Sequence, residues 1–180
     1  FEKVDTLVID KTGTLTEGKP QLVAIQTSGG IKENEFLALV AAVEARSEHP
    51  LAHAIVSAAK ERNLTLGEPD NFEVQVGAGI SAQVGGRAVV IGNAAQMQRI
   101  GVDPAPLNDA AETRRREGAG VMLIAVDGKL AGLVAVADPI RANAREAIEA
   151  LRKQGLRVIM LTGDNPTTAL RDASGPPRSA

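Results

Sequence analysis

Two short apolar runs far apart in the chain, residues 4–9 and 158–161, each end in a polar loop that carries an aspartate. The first runs into Asp10-Lys11-Thr12-Gly13-Thr14 and the second into Thr162-Gly163-Asp164. Runs of this length, rich in β-branched residues and bounded by turn residues, read as buried parallel strands. In α/β sheets the carboxyl ends of such strands are where chemistry sits. Between them the patterning changes. Phe36, Leu39, Val40 and Val43 recur at helical spacing across 33–46, and Leu51, Ile55 and Val56 do so across 50–62, with Pro50 in the first turn. Residues 72–76, 80–84 and 87–91 read as strands, the last two joined by a Gly85-Gly86 turn. Residues 121–126 and 130–136 form a second hairpin around Asp127-Gly128. A helix over 141–154, stopped by Gly155, leads back to the strand at 158–161. The layout predicts one α/β domain split in sequence, 1–17 and 138–173, with an α+β domain on an antiparallel sheet inserted at 18–137. Residues 174–180, with their Gly-Pro-Pro composition, are expected to be a disordered tail.

Hydrophobic residues make up 44% of the 180, yet Trp and Tyr are absent and Phe occurs three times, so the core must rest on Val, Ile, Leu and Ala. Lys and Arg number 20 against 22 Asp and Glu. With no basic excess to track a phosphate backbone, nucleic acid is not an expected partner. The densest basic run, Arg114-Arg115-Arg116, sits beside Glu112 and Glu117 and reads as a solvated helix face. There is no Cys, so neither a disulfide nor a thiolate metal site can form. The longest apolar stretches, 121–126 and 130–137, fall far short of the roughly 20 residues a membrane helix needs, so this piece is expected to be soluble. A start at Phe1 rather than Met points to a segment of a longer protein.

Asp10 to Thr14, extended by Leu15 and Thr16, gives a seven-residue stretch that resembles the P-type ATPases, whose phosphorylated aspartate heads this motif. The resemblance implies a haloacid-dehalogenase-like, Rossmann-like phosphorylation domain, with Asp10 accepting the γ-phosphate of ATP. A carboxylate is a sound nucleophile for that task, because an acyl-phosphate divides one difficult displacement into two easier ones. Mg2+ and nearby donors must neutralise the approach of two anions, which gives Lys11 and the hydroxyls of Thr12 and Thr14 plausible work. The family pattern implies that Mg2+ is held by Asp10 and the backbone carbonyl of Thr12. In the wider superfamily the position two after the nucleophile is commonly a second Asp, an acid/base, whereas here it is Thr12. Without a base there, the aspartyl-phosphate should hydrolyse slowly enough to outlive a conformational change, which favours a pump over a phosphatase.

Thr162-Gly163-Asp164 resembles the family's second phosphate-site motif, with Thr162 as a hydroxyl donor and Asp164 beside it. Asp138-Pro139-Ile140-Arg141 resembles the return hinge, where Asp138 and Arg141 are implied to lie near the nucleotide. Either motif alone would pass for a surface turn; their order after Asp10 carries the inference.

Ser47-Glu48-His49-Pro50-Leu51 resembles the signature of the heavy-metal branch, in which the Glu and the His are implied to contact adenine. Pro50 biases His49 away from helical geometry and leaves its ring at a helix mouth. Gly77-Ala78-Gly79 lies between two predicted strands, where missing side chains let backbone amides approach a ligand. Gly92-Asn93 follows. Glu48, His49, Gly77, Gly79 and Asn93 match the five nucleotide positions of that branch in order.

The resemblance covers about residues 1–170. An intact pump continues through a lysine to a Gly-Asp-Gly-x-Asn-Asp segment whose first aspartate completes the Mg2+ site, and this chain has neither. The resemblance therefore implies the cytoplasmic ATP-binding part of an integral membrane pump, partnered by membrane and actuator domains, with the transported ion bound elsewhere. Copper(I) is the first expectation and zinc the second. Two alternatives stand beside it: a soluble haloacid-dehalogenase-like phosphatase, against which Thr12 and the nucleotide signature argue, and a truncated, non-catalytic nucleotide-binding module.

Overall fold

A computed structural model describes residues 4–161. Its strands fall into two sheets. In the first, β1 (Thr6–Asp10) pairs in parallel with β8 (Arg157–Leu161), Asp10 lying opposite Leu161. Helix α5 (Ala144–Lys153) precedes β8 and packs on it. The chain turns at Asn143 before α5 begins, three residues later than the periodicity predicts.

The second sheet is antiparallel with six strands: β2 (Gln21–Thr27), β3 (Pro69–Gln75), β4 (Gly79–Val84), β5 (Arg87–Gly92), β6 (Gly120–Val126) and β7 (Lys129–Ala137). Their order is β2-β7-β6-β5-β4-β3. Helices α1 (Glu33–Glu44) and α2 (Pro50–Glu61) cover one face, where Phe36, Val40, Val43 and Ile55 meet Ile124, Val134 and Val136. The opposite face carries α3 (Ala94–Arg99), a 3-10 turn at Ala105–Leu107 and α4 (Asn108–Arg116), with Met97, Leu107 and Ala111 against Leu123, Ala125 and Leu133. Successive residues of β6 and β7 thus enter opposite cores. That is why these strands read as continuous apolar runs rather than as an alternation.

The sequence predicts a two-helix unit on several strands. Among the described residues, the unit between β1 and α5 carries four α-helices, and β2 and α3 have no counterpart in that prediction. Phe36 is fully buried and its ring lies over Gly132, where a Cβ would come within 2.9 Å of it. The two hairpin turns are tied by Arg87, whose Nε donates to Asp127 Oδ2 at 3.0 Å and whose Nη1 donates to Glu35 Oε1 at 2.7 Å.

The chain passes between the two sheets twice, and the crossings are bonded to each other. Thr16 and Ile140 form an antiparallel bridge, and the Glu17 amide donates to the Pro139 carbonyl at 2.9 Å. The Asp138 carboxylate accepts from Thr16 Oγ1 at 2.5 Å, the Gly18 amide at 3.2 Å and the Lys19 amide at 2.9 Å. Arg141 Nε donates to the Thr16 carbonyl at 2.9 Å and its NH2 to the Gly13 carbonyl at 3.3 Å. The paired crossings form a polar clasp reaching back into the loop that follows Asp10.

Candidate functional site

Asp10 is exposed at the carboxyl end of β1. From there Lys11–Leu15 winds into a π-helical turn, and the Gly13 amide donates to Thr16 Oγ1 at 3.0 Å. Parallel pairing leaves the strand end facing the loop, so the carboxylate projects where a substrate can reach it. Strand β8 ends opposite Asp10; Thr162 and Asp164 lie outside the described residues. Among the described residues no three His, Cys, Asp or Glu side chains come together as a metal cage. Mg2+ is commonly held by one or two carboxylates together with phosphate oxygens, and an exposed Asp10 suits an ion of that kind.

A second concave site opens at one end of the six-stranded sheet, a cleft of about 890 Å3. The end of β3, the starts of β4 and β6 and the end of β5 form its floor, and the connection between α1 and α2 overhangs it. Glu48, His49, Gly77, Gly79 and Asn93 all line this cleft, although 45 residues separate the first from the last. Its apolar wall includes Leu51, Phe72, Val74, Ile80, Val121 and Met122. Arg46 and Arg115 are its cations, with Arg115 only 22% exposed.

His49 is extended (φ −67°, ψ 136°) because Pro50 follows, and its Nδ1 accepts from the Leu51 amide at 3.2 Å, capping α2. With Nδ1 so occupied, the neutral ring carries its proton on Nε2 and offers a donor to the cleft. Asn93 caps α3 in the same way: Oδ1 accepts from the Gln96 amide at 2.9 Å, while Nδ2 donates to the Gly77 carbonyl at 3.2 Å.

The two glycines of the turn have different reasons. Gly77 sits at φ +72° with open space around it. A Cβ on Gly79 would collide with the Ile91 carbonyl oxygen and lie 2.7 Å from Gly92 Cα, since these strand ends pack backbone against backbone.

Asp138 and Arg141 do not join this group. They belong to the clasp, where the hinge backbone already holds both side chains, and neither lines the cleft.

Glu44 belongs to no sequence motif. This last residue of α1 lines the cleft at 3% exposure, and burial holds its carboxyl above the ordinary value of 4.5, partly opposed by a hydrogen bond from Ser47. The Ser47 hydroxyl in turn accepts from the His49 amide at 3.2 Å, so Glu44, Ser47, His49 and the start of α2 form one chain of polar contacts. A raised pKa means that the folded carboxyl holds its proton more tightly than the unfolded one. Stability then falls as pH rises from about 4.5 through the native value. We expect Glu44→Gln to melt higher than the unaltered chain at pH 7, with the gap closing as pH falls toward 4.5. Thermal unfolding across pH measures it, and a gap independent of pH would remove the buried charge as its cause.

Fold and site together define a parallel α/β element interrupted by a cleft-bearing unit built on an antiparallel sheet. The chain matches the haloacid dehalogenase-like hydrolases over residues 4–176. It is 52% identical to the copper-exporting P-type ATPase of Legionella pneumophila over 169 residues, 94% of this chain and 23% of that protein. Among solved structures, a zinc-transporting PIB-type ATPase in its E2.Pi state superposes with a TM-score of 0.76 at 38% identity, covering 94% of this chain and 27% of that one. The N-domain of HMA6, a copper-transporting P-type ATPase, gives 0.56 at 30% identity over 66% of this chain and 98% of its own. The chain belongs to the haloacid dehalogenase-like hydrolase family, in its P-type ATPase branch. It spans about a quarter of the length of the Legionella relative. No helix among the described residues is long and apolar enough to cross a membrane.

Proposed function

We propose that the chain is the ATP-binding and aspartyl-phosphorylation region of an ATP-driven heavy-metal cation pump, with residues 18–137 holding the nucleotide and Asp10 receiving its γ-phosphate. The observation that carries this reading is the convergence of Glu48, His49, Gly77, Gly79 and Asn93 on one cleft. The cleft supplies an apolar wall for a base, a buried acid in Glu44, a ring donor in His49 and two arginines for anionic groups.

None of the residues lining the cleft comes from 1–17 or 138–161. A nucleotide held there would present its γ-phosphate to Asp10 across the clasp at Thr16 and Asp138, the two crossings that join the cleft-bearing unit to β1. In the reaction we assign, an Asp10 carboxylate oxygen bonds to the γ-phosphorus as the bond to the β,γ-bridging oxygen breaks, and ADP leaves with that electron pair. Asp10 would hold a Mg2+ ion together with phosphate oxygens, and the ion would supply neutralisation of the approaching charges. Water later cleaves the acyl-phosphate. Copper(I) is the cargo we assign, because relatives similar over most of this chain carry copper in their names. The whole pump would hold this region on the cytoplasmic side, joined to its membrane and actuator domains.

Calorimetric titration of the chain with ATP and ADP, with and without Mg2+, tests the cleft. The unaltered chain should bind saturably, and His49→Ala should weaken binding by roughly tenfold, about 1.4 kcal/mol. Absence of ATP binding by a chain that is folded by circular dichroism sinks the reading.

A further inference from the structure

We propose that Gln96 is a positioning residue for the nucleotide turn: from α3 it reaches under the ends of β5 and β4 and holds the Gly77-Ala78-Gly79 backbone in its binding shape. The inference rests on the cleft reading above and extends it to a residue on the opposite face of the sheet.

Gln96 is only 1% exposed. Buried side-chain amides are in the large majority hydrogen-bonded. Here Nε2 donates to Gln75 Oε1 at 2.6 Å, and Oε1 accepts from Arg99 Nη2 at 2.5 Å. Gln75 is the last residue of β3, and its carbonyl accepts from the Ala78 amide at 2.9 Å, closing the turn. The aliphatic part of Gln96 lies flush on Gly92, where a Cβ would come within 2.8 Å of its Cγ.

Its neighbour Asn93 grips the turn from the same helix end. The Asn93 amide donates to the Ala78 carbonyl at 3.1 Å and its side chain to the Gly77 carbonyl. Gln96 of α3 and the helix's cap Asn93 therefore fix the turn from below, and with both carbonyls engaged by Asn93 the turn is set in one orientation toward the cleft. The outer end of the relay, Arg99, is exposed and is not among the residues that line the cleft.

Gln96→Leu keeps the volume and removes both hydrogen bonds. Gln96→Glu keeps the acceptor for Arg99, and a rotated Gln75 amide can donate to it. Arg99→Ala loosens the relay from its solvent end without touching the core. Two readouts separate positioning from general stability: the ATP dissociation constant well below the melting temperature, and amide hydrogen exchange at Gly77, Ala78 and Gly79 without nucleotide.

Gln96→Leu should raise the dissociation constant roughly tenfold and speed exchange at the turn. Gln96→Glu should recover most of that loss, and Arg99→Ala should shift both readouts in the same direction by about threefold. Should the leucine variant fail to fold, Arg99→Ala decides alone, and its leaving both readouts unchanged overturns the proposal. A folded leucine variant with unchanged turn exchange also overturns it, whatever its affinity. If the unaltered chain binds no ATP, the cleft reading fails by itself, and turn exchange in the variants still decides whether Gln96 holds this backbone.

Discussion

Asp10→Asn in the full-length protein should abolish the acid-stable phosphoenzyme of the proposed reaction and lower ATP turnover at least about 10^3-fold, while leaving ATP affinity at the cleft unchanged. The size follows from what is removed. An amide oxygen is a far poorer nucleophile than a carboxylate oxygen, and deleting a covalent nucleophile costs other enzymes three or more orders of magnitude. The unchanged affinity follows from geometry, because Asp10 stands at the end of β1 and the cleft is lined entirely by other elements. The change should also spare the fold. Asp10 is exposed, and its strand is held by backbone pairing with β8, which the side chain does not enter. The experiment uses ATP labelled at the γ-phosphorus, acid quenching, and hydroxylamine sensitivity to identify an acyl-phosphate. A variant that still traps hydroxylamine-sensitive label assigns the nucleophile to another residue and removes the central step of the proposed mechanism.

The parts of this molecule legible in the sequence are those whose signal is local. Pro50 after His49 announces both the start of α2 and the extended backbone at the histidine, and both are found. Gly85-Gly86 and Asp127-Gly128 mark hairpin turns that form where expected. Strand β2 escaped because it is an edge strand whose alternation is interrupted by a bulge between Leu22 and Ala24, with Gln at either side of its apolar residues. Helix α3 has six residues, less than two turns, too few to establish a period; Asn93, its cap, is a local signal that also matches the nucleotide motif.

Helix α4 buries only Ala111 and offers almost no apolar stripe. Glu44 is the instructive case in the site itself. It ends a strongly apolar helix and belongs to no local motif, so nothing in the neighbouring residues distinguishes it from an ordinary solvated helix terminus. Its burial comes from tertiary packing, when the α1–α2 connection closes over the end of the sheet. The reverse holds for Asp138 and Arg141, where a motif resemblance points toward the nucleotide and the side chains are spent on the clasp.

Gly79→Ala should destabilise the chain by roughly 2–4 kcal/mol and eliminate nucleotide binding, whereas Gly77→Ala, two residues away, should cost about 1 kcal/mol and leave the fold intact. At Gly79 the new methyl has nowhere to go. It would be driven into the Ile91 carbonyl and against Gly92 Cα, both backbone atoms of the paired strand, which can yield only by parting β4 from β5. Parting them also lifts Gly92 from Gln96 and Ala78, so the damage spreads through the contacts that shape the turn. At Gly77 nothing lies within 4 Å of the added carbon, and the cost reduces to holding an alanine at φ +72°. In a chain of this size, 2–4 kcal/mol lowers the melting temperature by roughly 4–16 °C, so scanning calorimetry resolves the two variants easily. Equal melting temperatures for both would mean that β4 and β5 are not packed backbone to backbone at their ends. The close approach that aligns Gly79, Gly92 and Asn93 on one cleft wall would then lose its physical basis.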